Sequence, residues 1–183
     1  GIYGNDYIAE LRAQGLPNEE ITRRVRARDN EAPDESGELT WLVLALDAKS
    51  GRELWRAETH RGKPFGGRHR KNTYASETPA TDGERLYVYL GNVGVFAYSL
   101  DGRALWSWRV EPGRTYNDFG TSSSPIVHEG RVYVIHDNQE ECFLAALDAK
   151  SGRELWRTRR DFGDAFVRTS FATPFVWKNR LRT

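Results

Sequence analysis

Residues 45–56 read Ala45-Leu46-Asp47-Ala48-Lys49-Ser50-Gly51-Arg52-Glu53-Leu54-Trp55-Arg56, and the same letters return unchanged as Ala146 to Arg157. A looser copy lies between them, Tyr98-Ser99-Leu100-Asp101-Gly102-Arg103-Ala104-Leu105-Trp106. Trp55, Trp106 and Trp156 stand 51 and 50 residues apart. A fixed period of that length marks supersecondary units that stack on one another. Within each copy an Asp (Asp47, Asp101, Asp148) can accept backbone N–H groups two residues on, and a Gly (Gly51, Gly102, Gly152) can take positive φ. The stretch therefore predicts a hairpin turn, with the Trp four residues past the glycine on the returning strand.

Working outward, the same grammar fills two whole units. Residues 76–81 read as a short strand, Asp82-Gly83 as a turn, and Arg85 to Leu90 as a second strand rich in aromatic and β-branched residues. Gly94 to Leu100 and Ala104 to Val110 supply the third and fourth strands. The next unit runs through 122–127, Arg131 to His136, Phe143 to Leu147 and Glu154 to Arg160. A further unit starts at 170–175 and turns at Lys178-Asn179. Pro79, Pro125 and Pro174 hold one place in the repeat, where a backbone N–H is not needed. The apolar run Thr40 to Leu46 predicts a strand buried on both faces, paired with Glu53 to Thr59.

Four short strands per repeat make one antiparallel sheet that cannot cover its own faces, and radial stacking of such sheets is a β-propeller. The expected fold is all-β: a propeller fragment of four-stranded antiparallel blades with a small helical N-terminal insertion. Residues 1–38 form the insertion, with helices at 6–14 and 19–28, Gly15 ending the first and Asn18 capping the second. Residues 39–183 form the propeller portion, divided into a partial blade at 39–59, complete blades at 76–110 and 121–160, and a partial blade at 169–183. The chain starts at Gly1, holds no Met and stops at Thr183, which reads as a piece of a longer protein. Each repeated Trp is expected to lie between two sheets, where burial of such a side chain contributes at most about 4–6 kcal/mol.

Composition narrows the function classes. Among 183 residues, 27 Lys and Arg balance 26 Asp and Glu, so no global field favours nucleic acid or a membrane surface. No apolar run reaches membrane-span length, and no signal peptide is visible. The single Cys142 excludes an internal disulfide and reads as a small buried strand residue. Two charged segments stand out. Arg23, Arg24, Arg26 and Arg28 crowd one helix, followed by acids at 29, 31, 34, 35 and 38 that can neutralise them. Residues 60–71 carry Arg61, Lys63, Arg68, Arg70 and Lys71 with no acid before Glu77, a candidate anion-binding loop, or else a solvated loop whose cations pair with 29–38.

The pattern Ala-Leu-Asp-x-x-x-Gly-x-x-Leu-Trp, complete at Ala45 to Trp55 and Ala146 to Trp156, resembles the tryptophan-docking motif of pyrroloquinoline-quinone (PQQ)-like propeller repeats. Ser99 to Trp106 resembles it with Ser for Ala and a shortened turn, and Thr78-Pro79 and Ser124-Pro125 resemble the inner strands of that repeat. The resemblance implies either of two functional classes. Quinoprotein dehydrogenases bind PQQ and Ca²⁺ on the propeller axis and oxidise alcohols or sugars. A non-catalytic class, similar to an outer-membrane assembly lipoprotein, serves as a protein-binding scaffold. Both imply a periplasmic, cell-surface or secreted location.

The residues favour the scaffold. Many alcohol-oxidising members carry adjacent cysteines, and this chain has one Cys. Asn117, Asp118, Asp137 and Asn138 sit on loops that could face the axis, but Asp137-Asn138 after a strand reads as a turn, and Glu140-Glu141 adds only a small acidic patch. His60, His69, His128 and His136 lack zinc spacing. His136 ends an apolar strand and reads as a satisfied core or rim residue. Residues 121–124 lack the glycines of a nucleophile elbow. The expectation is a non-enzymatic propeller that binds a protein or glycan partner through loops, with no catalytic, cofactor or metal residue assigned. A dehydrogenase fragment using PQQ and Ca²⁺ is the alternative, and a polyanion-binding module using 60–71 with 23–28 is the third reading. Any function belongs to the segments that do not repeat: 1–37, 60–75, 111–120 and 137–142.

Overall fold

In the computed structural model, residues 4–30, 37–69, 71–177 and 180–182 are described. The acidic segment 31–36, Arg70 and the expected turn at 178–179 lie outside the described residues. Helices α1 (Gly4–Ala13) and α2 (Asn18–Asn30) form the N-terminal part. Gly15 takes φ +71 after α1, as a helix stop requires. Leu11 and Ile21 are buried, one from each helix. Arg23 and Arg24 bond Glu20 one turn back, at 2.6 and 2.7 Å, so their charge is met within the helix.

All β pairing is antiparallel. Strands β1 (Leu39–Leu46) and β2 (Glu53–Gly62) form a hairpin. Next comes a four-stranded sheet of β3 (Ala80–Thr81), β4 (Arg85–Leu90), β5 (Gly94–Ser99) and β6 (Ala104–Arg109), in that spatial order. Another follows with β7 (Ile126–His128), β8 (Arg131–Asp137), β9 (Cys142–Asp148) and β10 (Glu154–Arg159). Strands β11 (Phe175–Trp177) and β12 (Arg180–Arg182) pair last. These are stacked propeller blades in sequence order.

Period-two geometry splits the middle sheet between two cores. Tyr87, Tyr89, Val95 and Ala97 pack against Val132, Val134, Phe143, Ala145 and Leu147 of the following sheet. Val88, Leu90, Phe96 and Tyr98 point the other way, into a cluster with Trp41, with Val43 and Ala57 packed against it. A sheet whose two faces are both covered reads as a continuous apolar run, which is why β4 and β5 were so legible.

The same logic misreads β1. Its apolar run predicts burial on both faces, yet only Trp41 is buried and Leu44 is 47% exposed. Val43 faces the middle sheet, while Leu42, Leu44 and Leu46 alternate onto a face that nothing among the described residues covers.

The inner strands are shorter than expected. Residues 76–79 and 122–125 make no strand, and pairing starts only at Ala80 and Ile126. Their polar groups bond around the ring instead of along a ladder. Thr78 N–H donates to Ser124 Oγ (2.9 Å), Ser124 N–H to Thr173 Oγ1 (3.2 Å), and Ser123 Oγ–H to the Ala172 carbonyl (2.7 Å). Each outer strand also carries a one-residue bulge, at Leu54, Leu105 and Leu155, just ahead of its Trp.

Candidate functional site

The repeated positions build the seams between sheets. Asp47 Oδ1 accepts the N–H of Lys49 (3.2 Å) and Ser50 (2.8 Å), and Asp148 does the same with Lys150 and Ser151. In the shortened middle turn, Asp101 takes the hydroxyl of Ser99, and Gly102 N–H closes onto the Ser99 carbonyl. Gly51, Gly102 and Gly152 have φ of +69, +90 and +72. The Trp of one sheet reaches the turn of the next. Trp55 Nε1–H donates to the Leu100 carbonyl (2.9 Å), and Trp106 Nε1–H to the Ala149 carbonyl (3.1 Å). A Cβ on Gly102 would stand 2.7 Å from the Trp55 ring, and one on Gly152 2.4 Å from the Trp106 ring. Around Gly51 there is nothing within 4 Å, and Trp156 is 39% exposed, with Tyr133 beside it.

Each strand has two ends, so the repeated turns leave the opposite end of every sheet to segments that do not repeat. There 60–75, 111–121 and 137–142 meet. His69 N–H donates to the Phe119 carbonyl (3.1 Å), and Asn72 Nδ2 to the carbonyls of Phe119 (2.8 Å) and Thr121 (3.2 Å). Gln139 N–H donates to the Arg114 carbonyl, and Arg114 N–H to Glu140 Oε2. Asn117 and Asp118 both sit at positive φ, 51° and 52°, a costly conformation for side-chain-bearing residues. Asp118 is held there by Arg114 at 2.6 Å and by close approach to Gly67, whose Cβ would lie 2.9 Å from that of Asp118. Sequence reasoning named the segments but not their convergence, because nothing in one-dimensional spacing joins residue 72 to 119.

Loops 60–75 and 111–121, with the turn at 91–93, enclose a cavity of about 330 Å³ between the β1–β2 hairpin and the middle sheet. Trp41, Phe65 and Tyr74 line it with His60, Pro64, Pro112 and the ends of β4 and β6, and Lys63 and Arg109 supply its cationic groups. The candidate anion loop is thus only partly used. Lys63 lines the cavity, whereas Arg61 pairs with Glu58 at 2.7 Å and also feels the charge of Glu38, at the end of the acidic 29–38 segment. Arg68 donates to the Asn72 carbonyl and lies over the Tyr74 ring, and the Lys71 N–H donates to His69 Nδ1. Arg109, on β6, was absent from the sequence reading. Its register at the end of the strand, opposite Gly94, could have placed it there.

A second cluster lies under the 137–142 turn. His136 Nδ1 meets the Tyr89 hydroxyl (3.1 Å), and Nε2 meets the Glu111 carbonyl (3.1 Å) and Asn138 Nδ2 (2.9 Å); burial lowers its pKa, so it is a neutral, satisfied core residue. Asn138 Oδ1 accepts the N–H of Glu140 and Glu141, the turn chemistry expected of Asp137-Asn138. Cys142 is buried with Sγ against the Asn138 and Arg168 carbonyls. Asp137 is buried against Arg160 (3.1 Å), and desolvation pushes its pKa up to about 6 despite that partner.

The Asp137 shift fixes the sign of a pH effect. Between about pH 4 and 6 the folded state keeps a proton that the unfolded chain, titrating near 3.8, has released. Stability is therefore lost as pH rises through that window, and Glu77, also raised by burial, adds in the same direction. Asp137→Asn is expected to flatten the fall in urea midpoint between pH 4 and 6. An unchanged slope would refute the assignment.

PQQ and Ca²⁺ are the groups the family resemblance implies, and the donor set here can be tested against them. Glu77 is buried, with Oε1 taking the Gly91 N–H and Oε2 unpartnered, while Asp137 is committed to Arg160. Among the described residues no three His, Cys, Asp or Glu side chains gather as a metal site. Glu77 Oε2 by itself falls short of the six to eight oxygens of a Ca²⁺ cage.

The sequence profile of the family described as outer membrane protein assembly factor BamB matches residues 40–181. Quinohemoprotein alcohol dehydrogenase ADH IIB of Pseudomonas putida is 31% identical over 134 residues, 65% of this chain and 18% of that protein. Polyvinylalcohol dehydrogenase of a Pseudomonas species is 27% identical over 139 residues, covering 66% of this chain and 20% of the relative. The chain thus spans about a fifth of the length of these curated relatives. BamB from Moraxella catarrhalis superposes with a TM-score of 0.53 at 20% identity, over 80% of this chain and 40% of that one, and shares the fold.

Proposed function

Since the chain belongs to the PQQ-like propeller repeat family of the assembly factor BamB, we propose that it acts as a non-enzymatic binding scaffold in the periplasm or at the cell surface. The partner is a protein or glycan, bound by the face where the non-repeating loops gather. One observation carries this reading. Trp55 and Trp106 of the repeat are consumed in seams at one end of the sheets, whereas at the other end 60–75 and 111–121 interlock around an aromatic and cationic cavity, with 137–142 bonded to Arg114 beside it. Fold alone selects no function, so the non-repeating face is where specificity resides. No helix among the described residues is long and apolar enough to cross a membrane.

Photo-crosslinking in the full-length protein tests the reading. A crosslinking residue at Phe65 or Glu140 is expected to capture a discrete partner that one at Lys49 or Lys150, on the repeated turns, does not. Equal capture from both ends would overturn it. The 31% identity to an alcohol dehydrogenase supports a second reading, that the whole protein is a quinoprotein dehydrogenase. PQQ uptake and alcohol-dependent dye reduction with Ca²⁺ would establish that reading and end the first.

A further inference from the structure

The cavity beneath loop 60–75 is built in two zones. Trp41 and Leu90 are buried at depth, and Lys63, Phe65 and Arg109 are exposed on its open side. The Trp41 indole is fixed by donating to the Tyr74 carbonyl (2.7 Å), with the Tyr74 ring edge-on at 6.4 Å. Tyr74 OH donates in turn to the Gly66 carbonyl (3.0 Å). The Arg109 guanidinium rests 4.8 Å over the Phe96 ring, which anchors it without an acid.

The charge balance is one-sided. Among the described residues no Asp or Glu lines the cavity, and neither Lys63 nor Arg109 has a carboxylate partner. His60, 5.1 Å from Trp41, has its pKa lowered by burial and then by Arg109. A cation held close enough to disfavour a second charge is electrostatically open to an anion. Asn92 Oδ1 accepts the Gly113 N–H, which leaves its amide N–H groups as further donors on the same wall.

The walls are preformed. A Cβ on Gly91 would lie 2.3 Å from Thr121 Oγ1, and one on Gly120 2.9 Å from Asn72 Nδ2, so these segments are in close contact. A rigid aromatic slot with cations at its opening suits a ligand that is flat at one end and anionic at the other.

We propose that this cavity binds an aromatic carboxylate, its ring against Trp41 and Tyr74 and its carboxylate on Lys63 and Arg109. The inference rests on the loop face being a binding surface and adds the ligand chemistry. The carboxylate belongs either to a free aromatic acid or to the C-terminal aromatic residue of a polypeptide.

Calorimetry on the full-length protein tests this with indole-3-acetate, its neutral analogue indole-3-acetamide, and a short peptide ending in tryptophan with a free or amidated C-terminus. Saturable binding of either acid is expected, at least about tenfold tighter than its amide. Arg109→Gln and Lys63→Gln are each expected to weaken acid binding about tenfold and to leave the weak amide binding unchanged. Tighter binding of indole-3-acetate names a free acid as the source, and tighter binding of the peptide names a chain terminus. Equal affinity for acid and amide, or no binding of either acid at millimolar concentration, overturns the proposal; the wild-type acid–amide comparison holds whether or not the variants fold. That outcome leaves the scaffold reading to its crosslinking test, because a partner can dock on the loop rim without filling the cavity.

Discussion

Gly152→Ala is expected to destabilise the protein by about 3 kcal/mol, and Gly51→Ala by only about 1, although the two glycines sit in identical twelve-residue contexts. Both have positive φ, so both pay the cost of placing a Cβ in the left-handed region. Only Gly152 has a neighbour there. Its new Cβ would stand 2.4 Å from the Trp106 ring, against nothing within 4 Å at Gly51. The ring cannot retreat, because its N–H is tied to the Ala149 carbonyl at 3.1 Å. Gly102→Ala should behave like Gly152→Ala, since Trp55 lies 2.7 Å from the built Cβ. Urea unfolding of the three variants measures the difference. Equal losses at Gly51 and Gly152 would show that the steric contact carries no energy. A double-mutant cycle sharpens the point: in a Trp106→Ala background, Gly152→Ala should cost about what Gly51→Ala costs.

Trp106→Ala is expected to cost about 3–5 kcal/mol, and Trp156→Ala in the 183-residue chain less than half of that. Trp106 lies half-buried in the seam between the middle sheet and its successor, beside Tyr87 at 5.9 Å and over Gly152. Truncation opens a void between two sheets and takes one of two donors from the Ala149 carbonyl, which keeps the Tyr87 hydroxyl at 3.2 Å. Trp156 rests beside Tyr133 of its own sheet and is 39% exposed. Among the described residues its indole N–H donates to no carbonyl of a neighbouring sheet, unlike Trp55 and Trp106. Equilibrium denaturation of both variants reads the ratio, and comparable losses would contradict the seam account.

The candidate site was far less legible than the fold. Loop 60–75 stood out for its cations, yet only Lys63 of the described ones lines the cavity, because Arg61 finds Glu58 three residues back on its own strand. Arg109 looked like any strand residue until pairing carried its end of β6 to the cavity. His136 was read correctly as a satisfied residue, since a polar group ending an apolar strand must find partners inside. Glu77 drew attention only as the end of an acid-free run, and its buried, half-satisfied carboxyl depends on Gly91 and Thr121 approaching from other segments.

By itself the sequence determined the unit. Asp-to-Gly turns, period-two strands and a 50-residue spacing specify four-stranded antiparallel sheets, because those signals act over a few residues and depend on local backbone geometry. Tertiary structure alone decided what each copy of the unit does. Identical letters give an open glycine at 51 and a crowded one at 152, a docked indole at 106 and a half-exposed one at 156, since burial depends on which sheet stands next to which. It also decided that three unrelated loops share one face, because a strand's two ends are fixed in space while the segments that join them are distant along the chain.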